Sequence, residues 1–169
     1  MPLKINRYIM NKTIEVRYIE YNDITELSAA DAALLEKARA TTANAYAPYS
    51  GFLVGAAAAL FNGETVTGTN QENAAFPAGI CAERVLLSAA ASIFPNEGID
   101  TMAISYHNTK GHSDKPVSPC GVCRQSLLEF EGRTGKPMRI ILSGMSGKVL
   151  EISSAKALLP FSFTADDMK

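Results

Sequence analysis

Residues Asn73–Ser92 have the sequence "NAAFPAGICAERVLLSAAAS". Its second half predicts a helix over Cys81–Phe94, because the apolar residues there recur at a spacing of three and four. These apolar residues are Val85, Leu86, Ala89, Ala90, Ile93 and Phe94. Cys81 and Glu83 therefore stand in the first turn of a helix.

Two predicted elements precede this helix. Ser28 and Asp31 have capping-box spacing, which predicts a helix that begins there and ends before Pro48. Over residues 51–70, "GFLVGAAAALFNGETVTGTN", two apolar or β-branched runs flank Asn62-Gly63. That dipeptide is typical of a tight turn, so the segment predicts an antiparallel hairpin.

The chain after the helix continues to alternate strands and helices. Residues 99–107 predict a strand, and residues 119–132 predict a helix with proline at its first position and glycine at its end. Residues 138–144 and 148–154 predict two further strands, and residues 155–163 a short helical or irregular piece. This alternation indicates a layered α/β architecture.

The length and composition suit one soluble domain with a small-molecule ligand. The chain has 169 residues, of which 47% are hydrophobic and 20% charged, and a formal net charge of -1. This charge gives no basic surface for nucleic acid, and no apolar run approaches the roughly 20 residues that span a bilayer. We therefore expect a cytoplasmic protein without nucleic-acid or membrane partners. Residues 1–27 are expected to be an N-terminal extension with at most one strand, over 14–21, before a single domain over 28–169.

The three cysteines are the candidate metal ligands. Cys120 and Cys123 share one side of a predicted first helical turn, and Cys81 begins the other helix. Helix N-termini stabilise thiolates, and three thiolates suit zinc with its fourth position open to water. In the alternative, His107 or His112 completes a closed structural site.

Glu83 favours the open site. Its side chain leaves a regular helix about 200° away from that of Cys81, so it does not readily bind the same metal, but it can reach a water molecule there. The alternative interpretation is an acidic residue favoured in a first turn by the helix dipole. The two interpretations correspond to a hydrolytic enzyme and to a zinc-stabilised interaction domain without enzymatic activity.

Four motifs resemble one family, the small homotetrameric cytidine deaminases. They are "APYSGFLVGAA" at 47–57, "TGTNQENAAFPAGICAER" at 67–84, "SPCGVCRQSLLEF" at 118–130 and "LLPFSF" at 158–163. The resemblance implies a three-layer α/β fold with a mixed sheet of about five strands and helices on both faces. It also implies a homotetramer with one Zn²⁺ per subunit.

The resemblance assigns roles residue by residue. Cys81, Cys120 and Cys123 match the zinc ligands, and Glu83 matches the residue that transfers protons between the attacking water, the cytosine ring and the departing amine. The positions that match substrate contacts are Phe52, Asn70, Glu72, Ala82 and Phe163.

Within this set, Asn70 and Glu72 match contacts to the sugar hydroxyls. Phe163 matches an aromatic residue that a neighbouring subunit contributes. Arg84, which follows Glu83, is expected to donate hydrogen bonds to the ligand sulfurs and so to offset the net negative charge of three thiolates on one Zn²⁺.

The resemblance implies hydrolytic deamination of cytidine and deoxycytidine to uridine and deoxyuridine with release of ammonia, as in pyrimidine salvage. One alternative is deamination of a cytosine-nucleoside antibiotic such as blasticidin S; the other is the zinc-stabilised interaction domain. A thiol-nucleophile enzyme is disfavoured, because no cysteine has an evident histidine partner.

Overall fold

The computed structural model describes residues 11–169 and contains six strands and three α-helices. In chain order these elements are β1 (Ile19–Tyr21), α1 (Ala29–Thr41), β2 (Phe52–Leu60), β3 (Thr65–Thr69), α2 (Ala82–Ile93), β4 (Ile99–Asn108), α3 (Gly121–Thr134), β5 (Arg139–Ser143) and β6 (Val149–Ile152). Every predicted helix and the hairpin are present. Within residues 11–169, no helix is both long and apolar enough to cross a membrane.

The strands form one mixed sheet in the order β1-β6-β5-β4-β2-β3. Neighbouring strands are antiparallel except for β4 and β5, which are parallel because α3 connects them. The two core clusters lie on opposite faces of the sheet. One packs α2 and α3 against it and the other packs α1 against it, so the prediction of three layers is confirmed.

The sheet has six strands, whereas the resemblance implied about five. The additional strand is β1, which pairs with β6 at the sheet edge in the register Tyr21↔Val149. The Tyr21 hydroxyl donates to the Glu151 carboxylate over 2.8 Å, which helps to hold this edge. Of the predicted strand over 14–21, only the last three residues pair, and the first part of the predicted extension over 1–27 lies outside the described residues.

Two glycines allow the helices to approach the sheet closely. A Cβ atom at Gly55 in β2 would lie 2.2 Å from the Ala38 carbonyl oxygen of α1. A Cβ atom at Gly68 in β3 would lie 2.5 Å from the Ala82 carbonyl oxygen and 2.6 Å from the Leu86 nitrogen of α2. Because Gly68 touches the first turns of α2, it sets the position of the turn that carries Cys81 and Glu83.

Candidate active site

The structure brings the three cysteines together at two adjacent helix starts. Cys81 is the N-cap of α2, Cys120 is the N-cap of α3, and Cys123 lies in the first turn of α3. The Cys81 and Cys120 sulfurs are 3.9 Å apart, and all three sulfurs lie within 4.8 Å of one another. The cluster forms because α2 and α3 pack side by side on the same face of the sheet.

This donor set fits a zinc ion. A zinc–sulfur bond of about 2.3 Å in a tetrahedral site sets two sulfurs about 3.8 Å apart, close to the separation of Cys81 and Cys120. Within residues 11–169, the three cysteines are the whole group of ligand-type side chains at this point, and neither His107 nor His112 joins it. The arrangement therefore resembles an open three-ligand site rather than a closed four-ligand site.

The protonation of the sulfurs points to a cation as well. A hydrogen bond from the Cys123 thiol lowers the pKa of Cys81 to about 6. The same hydrogen bond, together with burial, raises the pKa of Cys123. The pKa values of the two sulfurs move in opposite directions because two adjacent thiolates would repel each other. A bound Zn²⁺ would replace the thiol proton of Cys123 and allow all three sulfurs to ionise.

Glu83 lies beside the sulfurs in the same cavity. Only 5% of the residue is exposed, and burial raises the pKa of its carboxyl group. A carboxyl group with a raised pKa holds a proton more readily than an exposed one, which suits a residue that both takes up and releases protons. Nothing in a purely structural role for a first-turn acid explains this burial in a cavity wall.

The cavity has a volume of about 370 Å³ and runs from the sulfurs to the start of β2. Its lining includes Cys81, Glu83 and Cys120 at one end. Its remaining lining residues are Ser50, Phe52, Val54, Asn70, Glu72, Ile104, Ser105, Tyr106, Val117, Ser118, Pro119 and Ser143. A space of this size, whose exposed surface is mainly apolar but which carries several polar side chains, is typical of a small-molecule site.

Asn70 and Glu72 lie in this cavity wall, directly after β3. The Asn70 side chain accepts from the Val54 N–H over 2.7 Å and donates to the Phe52 carbonyl over 2.9 Å, so β2 fixes its orientation. Glu72 accepts from the Tyr49 N–H over 2.9 Å. A side-chain hydrogen bond from Ser50 lowers the pKa of the Glu72 carboxyl group, which keeps it ionised as a hydrogen-bond acceptor.

Phe52 and Ala82 occupy different positions relative to the cavity. The Phe52 ring forms part of the wall. Ala82 is fully buried as the first residue of α2, where the helix itself supplies no partner for the backbone N–H. Such a free N–H at a helix start can bind an electronegative atom of a ligand.

Arg84 and Phe163, like the buried Ala82 and Cys123, are not among the residues that line the cavity. Arg84 lines a separate groove between α2 and α3, and it makes no hydrogen bond to the sulfurs among the described residues; its positive charge nevertheless helps to lower the pKa of Cys81. Phe163 is 61% exposed near the C-terminus, where its carbonyl accepts from the Gln125 side chain over 2.8 Å. In a single chain, therefore, Phe163 is not part of the cavity.

The structure also identifies site residues that the sequence interpretation did not single out. Tyr106 stacks on Phe52 in the cavity wall. Arg124 donates to the Pro119 carbonyl over 2.9 Å and to the Leu158 carbonyl over 3.3 Å, so it ties the loop before Cys120 to the C-terminal segment. Strand alternation from Met102 and Ile104 could have pointed to Tyr106, and Arg124 lies within the quoted motif at 118–130.

Comparison with known proteins agrees with this geometry. Residues 28–135 match the family model described as "Cytidine and deoxycytidylate deaminase zinc-binding region". The chain is 38% identical over 136 residues to the cytidine deaminase of Halalkalibacterium halodurans, covering 80% of this chain and 95% of that protein. The similarity to the blasticidin-S deaminase of Bacillus cereus is more distant, at 26% identity over 113 residues, covering 66% of this chain and 76% of that protein.

Solved structures are similar as well. The crystal structure of cytidine deaminase from Burkholderia pseudomallei superimposes with a TM-score of 0.67 at 37% identity, covering 81% of this chain and all of that chain. The crystal structure of cytidine deaminase from Mycobacterium tuberculosis superimposes with a TM-score of 0.62 at 30% identity, covering 80% of this chain and 98% of that chain. Sequence motifs, fold and cysteine cluster therefore agree, and the chain belongs to the cytidine and deoxycytidylate deaminase zinc-binding family.

Proposed function

We propose that this protein is a zinc-dependent cytidine deaminase that hydrolyses cytidine and deoxycytidine to uridine and deoxyuridine with release of ammonia. The observation that carries the proposal is the cavity in which Cys81, Cys120 and Glu83 stand at one end and Asn70 and Glu72 line the wall. The named cytidine deaminases among its relatives support the same reaction. Relative to them, the similarity to a blasticidin-S deaminase is weaker.

In the proposed mechanism, Cys81, Cys120 and Cys123 hold one Zn²⁺ per subunit. When bound, Zn²⁺ supplies a Lewis acid that makes water a nucleophile near neutral pH. The Glu83 carboxylate takes a proton from the attacking water, which adds to C4 of the cytosine ring, and delivers a proton to the ring nitrogen N3. Glu83 then takes the remaining proton from the hydroxyl group on C4 and transfers it to the amine on C4, so that the C4–N bond breaks, the C4 carbonyl forms, ammonia leaves and the uracil nucleoside remains.

The other groups bind and orient the nucleoside. Glu72 accepts a hydrogen bond from a sugar hydroxyl, and Asn70, held by the backbone of β2, offers its remaining N–H. Phe52 packs against the nucleoside, and the Ala82 N–H donates to an oxygen of the base. Arg84 supplies positive charge next to Cys81.

The active assembly in this proposal is a homotetramer whose subunits complete each other's cavities. Phe163 is exposed and lies outside its own chain's cavity, so a neighbouring subunit is where it can contact substrate. Other large apolar side chains are also exposed, as expected of surfaces that bury on assembly. They include Phe76, Ile93, Val122 and Phe161.

Location and domain organisation follow from the same interpretation. We infer one deaminase domain over 28–169, preceded by the extension over 1–27. The site needs free thiols, which a reducing compartment preserves, and this supports a cytoplasmic enzyme of pyrimidine salvage.

The test is the loss of ultraviolet absorbance during incubation with cytidine, deoxycytidine or blasticidin S. We expect turnover of the first two nucleosides. Glu83→Gln should lower kcat by about 10²- to 10⁴-fold without loss of bound zinc, because only proton transfer is removed. Turnover of blasticidin S alone would overturn the nucleoside proposal, and absence of any turnover by a wild-type protein that binds zinc would favour a non-enzymatic zinc domain. Full activity of Glu83→Gln would contradict the role of Glu83 in proton transfer.

Subunit mixing tests the shared cavity. Phe163→Ala and Glu83→Gln should each be weakly active alone, and a mixture refolded together should regain activity. In such a mixture, a Glu83→Gln chain supplies Phe163 to a Phe163→Ala chain that keeps its own Glu83. Absence of any gain on mixing, or an active monomer by size measurement, would contradict the shared cavity.

A further inference from the structure

Tyr106 is a cavity residue to which the mechanism above assigns no role. It lies in β4 directly opposite Val54 of β2, and only 4% of the residue is exposed. Its ring stacks on the Phe52 ring with a centroid separation of 4.7 Å and an interplanar angle of 12°. The two rings together form an aromatic wall of the cavity.

The wall is rigidly held on the Phe52 side. The Phe52 N–H donates to the Ser50 hydroxyl over 2.9 Å, and the Phe52 carbonyl accepts from Asn70 over 2.9 Å. The same Asn70 side chain accepts from Val54, the residue opposite Tyr106. The aromatic wall is therefore built around Asn70, at the part of the cavity proposed to bind the sugar.

The Tyr106 hydroxyl has no partner within the described part of the chain. A buried tyrosine usually pairs its hydroxyl, since an unpaired polar group costs free energy. Among residues 11–169, the one fully enclosed side-chain oxygen without a partner is that of Ser105, so the Tyr106 oxygen remains open to solvent. Because the residue is almost completely buried and lines the cavity, we place this opening on the cavity side.

The neighbouring polar side chains already use part of their hydrogen-bonding capacity within the protein, whereas the Tyr106 hydroxyl uses none of its own among the described residues. Asn70 bonds the backbone of β2, Ser50 bonds Phe52, and one oxygen of Glu72 accepts from Tyr49. A phenol can both donate to and accept from a sugar hydroxyl, whereas the Glu72 carboxylate can only accept.

We propose that Tyr106 is a substrate-binding residue that helps to set sugar specificity: its ring fixes Phe52, and its hydroxyl bonds the 2′- or 3′-hydroxyl group of the nucleoside sugar. The inference rests on the proposed nucleoside deaminase function. The contact is remote from the reacting C4 atom, so it acts on binding. Its loss should therefore appear in KM, with kcat and zinc content preserved.

The experiment compares cytidine, 2′-deoxycytidine and 2′,3′-dideoxycytidine as substrates of the wild type and of Tyr106→Phe. This substitution keeps the stacked ring and removes only the hydroxyl. We expect kcat/KM to fall about tenfold for each nucleoside that carries the bonded hydroxyl, through KM, and to change little for a nucleoside that lacks it. Tyr18→Phe is the control, since Tyr18 is 58% exposed near the N-terminus.

Two results would overturn the role of Tyr106 while leaving the deaminase proposal intact. One is unchanged kinetics of Tyr106→Phe with every nucleoside, and the other is an equal fall for all three. A wild-type protein that deaminates none of them would instead overturn the proposed function. Tyr106→Leu, which also removes the stack, should raise KM further, and thermal melting will show whether that variant folds.

Discussion

Gly68→Ala tests whether the contact between β3 and α2 positions the active site. The added Cβ would lie 2.5 Å from the Ala82 carbonyl oxygen, 2.6 Å from the Leu86 nitrogen and 2.9 Å from the Leu86 Cβ. Ordinary van der Waals contact begins near 3.4 Å, so α2 would have to withdraw from β3 by about 0.9 Å. The obstacle is mainly helix backbone, which cannot rotate away as a side chain can.

The expected magnitudes follow from this displacement. Overpacking of this kind costs about 1–3 kcal/mol of stability, which for a domain of this size lowers the melting temperature by about 2–12 °C. The moving segment carries Cys81 and Glu83, and a displacement near 1 Å at a catalytic group can cost about 10²-fold in rate. We therefore expect a folded but less stable protein with strongly reduced kcat.

Gly132→Ala is the matched control for the same chemical change. Gly132 lies inside α3, and a Cβ there would meet no atom within 4 Å. Alanine in a helix interior is favoured over glycine by about 0.5–1 kcal/mol, so this variant should melt slightly higher with unchanged kcat. The assays are thermal melting and steady-state deamination. A Gly68→Ala variant with wild-type melting temperature and kcat would show that the contact between β3 and α2 does not position the active site.

Two further predictions concern the cavity. Asn70→Ala should destabilise the fold by about 1–3 kcal/mol, because it leaves the Val54 N–H and the Phe52 carbonyl without their partner. The variant should also have a higher KM. An unfolding curve in denaturant that matches the wild type would contradict this prediction. Removal of zinc by a chelator should lower the melting temperature. It should also let a thiol reagent label the exposed Cys120 before the buried Cys123. Equal labelling rates with and without chelator would argue against zinc ligation by the cysteines.

Local signals were sufficient to locate most elements. The capping pair Ser28 and Asp31 does begin α1, since the Ser28 hydroxyl accepts from the Asp31 N–H over 3.1 Å. The turn at Asn62-Gly63 does join β2 and β3, with Gly63 at a φ of 88°. Caps, turns and apolar periodicity act between residues close in the chain, so a sequence displays them directly.

The edge strand β1 was only partly predictable. Alternation over 14–21 suggested a strand, but pairing is confined to Ile19–Tyr21 because β6 offers only a short edge and Tyr21 is anchored there by Glu151. A strand at a sheet edge depends on its partner, which is 130 residues away in the chain. Alternation alone therefore cannot determine how much of it forms.

The chemistry of the site could be predicted from the amino-acid sequence, which places three cysteines and a glutamate at two helix starts within motifs that resemble those of cytidine deaminases. The tertiary structure alone decided how far these groups stand from each other and what surrounds them. In the folded chain the Asn70 side chain hydrogen-bonds the backbone of β2, and Tyr106 stacks on Phe52 in the cavity wall. Phe163 does not line the cavity of its own chain. The physical reason is that burial, pKa shifts and hydrogen-bond satisfaction arise from contacts between residues distant in the chain, and only packing brings those residues together.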